Sequence, residues 1–143
     1  MVERNRGVRR LTLDEVDPPA WTWSPPASTY VVQRCHALRR VPVSALGVED
    51  LRLLVGQRIA LPVLLPIALE RLEADPRAEG DLYAGDLLDA VLRVASEQID
   101  DVADLADLRS RLAGVEVRAR EIQARQDEPW WTPDDIGLVE PGP

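Results

Sequence analysis

Large aliphatic residues concentrate between Val48 and Val94, and their polar neighbours fall at helix starts, stops and outer faces. At the centre, Leu61, Leu64, Leu65, Ala68, Leu69 and Leu72 hold one face of a 3.6-residue period. Val63 and Ile67 make the first half of this helix apolar all round, which predicts its burial between other helices. Pro62 suits a first helical position, but Pro66 does not suit an interior one. Either the helix starts near Pro66, or Pro66 bends it. Asp75-Pro76 ends it.

The same pattern places the other helices. Ser28 or Thr29 can cap a helix running to about Arg40, with Val31, Cys35 and Leu38 on one face. Pro42 stops it, and residues 42–46 can make one short turn before Gly47. Glu49 and Asp50 then open a helix with Leu51, Leu54 and Val55 inward, closed by Gly56. After a loop at Arg77 to Gly80, Asp86 can cap a helix carrying Leu87, Leu88, Val91 and Leu92 inward. In that loop Gly80 is expected to supply a positive φ. A softer stretch near Ser96 to Asp104 precedes the last helix, where Leu105, Leu108, Leu112, Val115, Ala119 and Ile122 alternate spacings of three and four. Such a stripe is more often an intramolecular core face than a dimer seam.

No alternating strand pattern of useful length occurs, so the fold class is all-α. The expectation is a single-domain bundle of five to six helices with irregular Trp/Pro-rich ends. Residues 1–10 are polar and should fray, residues 11–126 form the helical domain, and residues 127–143 are an acidic Pro/Trp-rich tail. Between Leu11 and Pro26, four prolines around Trp21 and Trp23 read as an extended strap over a core edge. Trp130 and Trp131 sit near the other end. The ends folding back to cover core edges is favoured over exposed interface tryptophans.

Composition changes this picture in three ways. At 143 residues the chain suits one core, and with no Phe that core must be aliphatic. The net charge of −8 repels nucleic acid and membrane surfaces and favours basic partners. The 17 basic residues are all Arg. A single cysteine, Cys35, excludes an internal disulfide and suggests a reducing compartment, and nothing at the N-terminus reads as an export signal. The longest apolar run, Ile59 to Leu69, is too short for a membrane span. The expected location is the cytoplasm.

Candidate chemistry is sparse. Adjacent Cys35 and His36 point about 100° apart on a helix, which disfavours a nucleophile pair. Residues 75–86, DPRAEGDLYAGD, have acids at both ends, but Arg77 and the short Asp86 break a calcium-loop pattern. No metal or cofactor is expected. Glu70, Glu73 and Asp89 read as a solvated helix face. The run Glu97, Asp100, Asp101, Asp104 and Asp107 has no intervening base and exceeds what capping needs, so it is a candidate surface for a basic partner.

One resemblance organises these observations. The segments LTLDEVDPPAW, RCHALR, VEDLRLLVGQ, LPVLLPIALERLEADPRAEGDLYAGDLL and AVLRV occur in order from Leu11 to Val94. In that order the chain resembles the immunity proteins of bacterial contact-dependent growth inhibition (CDI) systems, a family that includes partners of RNase-like toxins. The resemblance implies a non-enzymatic antitoxin that binds the C-terminal toxin domain of a CDI effector, with a nuclease as one toxin class. An acidic surface suits a cleft evolved for phosphates. The candidate toxin-binding residues are Glu97, Asp100, Asp101, Asp104 and Asp107, together with Glu70, Glu73, Glu79, Asp81 and Asp86. A helical adaptor without enzymatic activity is the alternative, and a carboxylate-only enzyme would need an acid pair in a concave pocket. The oligomeric state stays open.

Overall fold

The computed structural model describes residues 9–20, 29–99, 101–126 and 130. Among these residues six helices follow one another: α1 (Leu13–Val16), α2 (Tyr30–Leu38), α3 (Val48–Gly56), α4 (Leu61–Ala74), α5 (Asp86–Ala95) and α6 (Leu105–Ala124). A 3-10 turn at Val43–Ala45 joins α2 to α3. No strand forms among the described residues, and two isolated bridges pair Thr12 with Pro42 and Glu79 with Ala84. The architecture is all-α, as the hydrophobic periodicity predicts.

α3 packs mainly against α5, and α4 lies against both. Leu51, Leu54, Leu64, Leu65, Leu69, Leu72, Leu87 and Leu88 meet there with no exposed surface. Burying each such side chain contributes about 1.5–3 kcal/mol. α6 covers α4 and α5 through Leu108, Leu112, Val115 and Ala119, while Leu105 and Ile122 are half-buried at its ends. The stripe on α6 is therefore a core face.

Three expectations change. The segment from Leu11 is not wholly an extended strap, because residues 13–16 close one helical turn. Glu15 accepts hydrogen bonds from the Thr12 N–H (3.1 Å) and hydroxyl (3.0 Å), and Leu13 is fully buried. Trp21 and Trp23 lie outside the described residues. The first half of α4 is not buried all round. The helix starts at Leu61 and runs through Pro66, and Pro62 and Pro66, four residues apart, share an exposed face. Solvent there can donate to the carbonyl that the missing Pro66 N–H leaves unpaired, and Pro62 stands in the first turn, where its N–H would have no helical partner. The positive φ of the 77–85 loop belongs to Gly85 (φ 89°), not Gly80. Gly85 is thus the N-cap of α5, and Asp86 is its first residue rather than its cap.

The other ends follow ordinary rules. Thr29 caps α2, its hydroxyl accepting from the Val32 N–H at 3.4 Å. Asp50 accepts from the Gly47 N–H at 2.9 Å ahead of α3. Arg109 on α6 donates to the carbonyls of Ala95 (2.9 Å) and Glu97 (2.8 Å), satisfying the end of α5. At the N-terminal side the Arg9 guanidinium pairs with Glu70 on α4. Trp130 packs against the core, its backbone N–H donates to Gln123 Oε1 at 3.0 Å, and Arg77 lies 5.4 Å from its ring centre. That matches the covering role, whereas Trp131 lies outside the described residues.

Candidate interaction surface

Nine of the ten acidic residues singled out by sequence are described, and they fall into three environments. Glu70, Glu73 and Glu97 are held by the protein's own arginines: Glu70 by Arg9, Glu73 by Arg111, and Glu97 by Arg58. Hydrogen bonding to Arg58 holds the Glu97 carboxyl below the usual carboxylate range. Asp101, Asp104, Asp107, Glu79 and Asp81 are exposed. Of these, Asp107 lies 4.0 Å from Arg111, a long and exposed contact. Asp100 lies outside the described residues.

Asp86 is different: it is 2% exposed, so it offers a partner no accessible carboxylate. Its Oδ1 accepts the Gly80 N–H (2.7 Å), and its Oδ2 accepts the N–H groups of Leu82 (3.1 Å) and Tyr83 (3.4 Å). Arg52 on α3 stands 3.8 Å away and is also paired with Glu49. Glu49 in turn accepts the Asp81 N–H at 2.9 Å. Four consecutive backbone N–H groups, Gly80 to Tyr83, therefore all donate to carboxylates. The hydrogen bond from Arg52 holds the Glu49 carboxyl below its usual range against some desolvation, and the Asp81 N–H adds to this.

Asp89 also departs from the solvated face expected of it. It is 7% exposed and accepts the Tyr83 hydroxyl at 2.7 Å. Periodicity does not show this, because the partner that draws Asp89 inward comes from a loop rather than a helix face. Leu82 (64% exposed) and Tyr83 (47%) were not singled out by sequence, yet they project from this loop. Their only sequence signal is an apolar pair between turn residues.

The exposed candidate acids form two separate groups. The 79–83 loop folds over Asp86 at the start of α5, while Asp101, Asp104 and Asp107 surround the start of α6, which Arg109 ties to the far end of α5. Ten helical residues put these ends roughly 15 Å apart. Between them, α3 and α5 enclose a cleft of about 330 Å³ lined by Arg52, Leu53, Gln57, Arg58, Ala90 and Arg93. A second cleft, of about 280 Å³, is lined by Val31, Val32, Cys35, Gln57 and Ile59. Neither lining includes an Asp or Glu, so neither offers a carboxylate pair for acid–base chemistry.

Cys35 and His36 are both buried. Desolvation pushes the Cys35 thiol up, away from thiolate chemistry. Among the described residues no three His, Cys, Asp or Glu side chains converge as metal ligands would, and no helix is long and apolar enough to cross a membrane.

Two buried charged residues were not singled out as candidates in the sequence. Arg39, 1% exposed, donates from Nε to Asp14 (2.8 Å) and from Nη1 to Asp17 (3.0 Å). Its Nη2 reaches the carbonyls of Asp17 (2.6 Å) and Leu13 (3.3 Å), so one guanidinium docks α1 onto α2. Glu116, fully buried on α6, accepts from Arg120 at 2.9 Å.

Residues 15–108, more than half of the chain and all of α2 to α5, match the family model of CDI immunity proteins. The chain belongs to that family. Membership implies a cognate toxin as its partner. The matched span covers the 79–83 loop and the exposed acids up to Asp107, so both acidic groups of this CDI immunity protein lie within the family domain. Comparison with curated proteins and with solved structures gives no match.

Proposed function

We propose that this CDI immunity protein neutralises the C-terminal toxin domain of a CDI effector by binding it, without catalysis of its own. The toxin is a nuclease whose phosphate-binding cleft is basic, and the immunity protein acts in the cytoplasm, where that toxin is delivered. The observation that carries this reading is the family match over residues 15–108 in a chain of net charge −8. Complementary charge speeds encounter and blocks the surface the substrate would use.

The toxin-facing residues are the exposed acids Glu79 and Asp81 at one end of α5, with Asp101, Asp104 and Asp107 at the other. Asp100 belongs to the second group by sequence. Glu70, Glu73 and Glu97 contribute less, because each must exchange an existing arginine partner for a toxin cation.

The test is charge reversal of each group to Lys, with association rate and affinity for the toxin domain as readouts. The group facing the toxin should lose roughly tenfold or more in association rate, and the loss should shrink as salt rises. Unchanged affinity for both variants would sink the acidic-surface reading. Co-expression completes the test: toxicity of the toxin domain should be relieved by the wild-type chain.

A further inference from the structure

We infer that Leu82 and Tyr83 are the apolar anchor by which this protein docks on its toxin, and that the buried carboxylate of Asp86 holds them ready. This rests on the antitoxin reading above and assigns the contact that gives that complex its residence time.

The 77–85 loop is held far more tightly than a connection between two helices requires. With the N–H groups of residues 80–83 all turned inward onto Asp86 and Glu49, the loop backbone is committed to one conformation. Gly80 is needed for this, since a Cβ there would stand 2.5 Å from Glu49 Oε1 and 2.9 Å from Asp86 Oδ2. Gly85 supplies the left-handed turn into α5. The Tyr83 hydroxyl is fixed on Asp89, which orients a ring left half in solvent.

This order holds in place two side chains that keep large apolar surface in solvent. A buried carboxylate that organises a loop contributes to the core only indirectly, whereas a pre-set loop lowers the entropy cost of binding. Leu82 and Tyr83 supply apolar area on that rigid mount, and Tyr does so with little rotamer entropy to lose. Tyr30 is more exposed, at 74%, but it opens α2 with no acid in that turn. Beside Leu82 and Tyr83, by contrast, stand exposed Glu79 and Asp81. An apolar centre with an acidic rim fits a partner face with an apolar pocket ringed by Lys or Arg. The border of a phosphate-binding cleft on a toxin domain has that chemistry.

The experiment measures binding of the purified toxin domain to the full chain and to Leu82→Ala, Leu82→Glu, Tyr83→Ala and, as a control, Tyr30→Ala. Leu82→Ala and Tyr83→Ala should each raise Kd about thirtyfold, mainly through faster dissociation, and Tyr30→Ala should leave it unchanged. Leu82 is exposed, so its variants should keep the wild-type melting temperature, which separates lost contact from lost fold. Amide exchange at residues 80–83 should slow further when the toxin binds. Wild-type affinity in Leu82→Glu, with the toxin still bound, overturns the anchor and leaves the antitoxin reading standing. Absence of toxin binding by the wild-type chain overturns both. A wild-type dimer that Leu82→Glu makes monomeric would assign the patch to a second copy of this chain and overturn the inference.

Discussion

Arg39 is one of the largest fully buried side chains in the protein, and its partners lie 22 and 25 residues earlier in the chain. Burying a guanidinium is tolerable only when its planar fork is matched, and Asp14, Asp17 and two carbonyls do that here. Arg39→Ala leaves Asp14 and Asp17 without their cation and opens a hole beneath α1. Urea unfolding should show a loss of about 3–5 kcal/mol. Arg39→Lys should recover only part of it, because an ammonium cannot reproduce the fork. In sequence, Arg39 is one more charged residue at a helix end. Nothing local distinguishes it from Arg40, which is exposed. Asp86 and Asp89 were opaque for a related reason: their places depend on where a loop returns, which no period of 3.6 encodes.

At the scale of elements, helix positions were legible because the core is aliphatic and each helix presents it one face. α2 and α3 begin and end close to where caps, Gly and Pro place them, and α5 and α6 follow their apolar stripes. α4 was ambiguous, since the same residues allow a late start or a bend at Pro66. The helix resolves this by keeping both prolines on its solvent side. Pro66 still forfeits an interior hydrogen bond, a cost of about 3 kcal/mol, partly offset by about 1 kcal/mol of lost unfolded-state entropy. Pro66→Ala should therefore raise stability by about 2 kcal/mol, read as a higher denaturation midpoint with unchanged m-value. An unchanged midpoint would mean that Pro66 costs this helix nothing.

At the scale of the whole molecule, several acids among the described residues are matched by arginines and form a frame, while the exposed candidate acids Glu79, Asp81, Asp101, Asp104 and Asp107 lie at the two ends of α5. That frame has a pH signature. Glu49 has its carboxyl pKa depressed in the folded state by Arg52, so the native protein binds fewer protons than the unfolded chain as acid is added. Its contribution is fully present above the ordinary glutamate value of about 4.3 and is lost as pH falls through the lower folded value. The urea midpoint should fall below about pH 5. In Glu49→Gln it should start lower at pH 7 and fall less steeply across that window. A parallel fall in both proteins would show that Glu49 does not carry this dependence.

The sequence alone determined what depends on neighbours within a turn or two: helices α2 to α6, the Thr29 end of α2, the aliphatic core face of each, the net charge and the ordered segments that carry the family likeness. Tertiary structure alone decided which charges are buried, which acids are already matched by Arg9, Arg58 and Arg111, and which candidate acids are left exposed near the two ends of α5. It also turned the 77–85 connection into a rigid mount for Leu82 and Tyr83. The physical reason is range. Helical periodicity acts over a few residues, whereas a buried charge is stable only where a distant part of the chain supplies its partner.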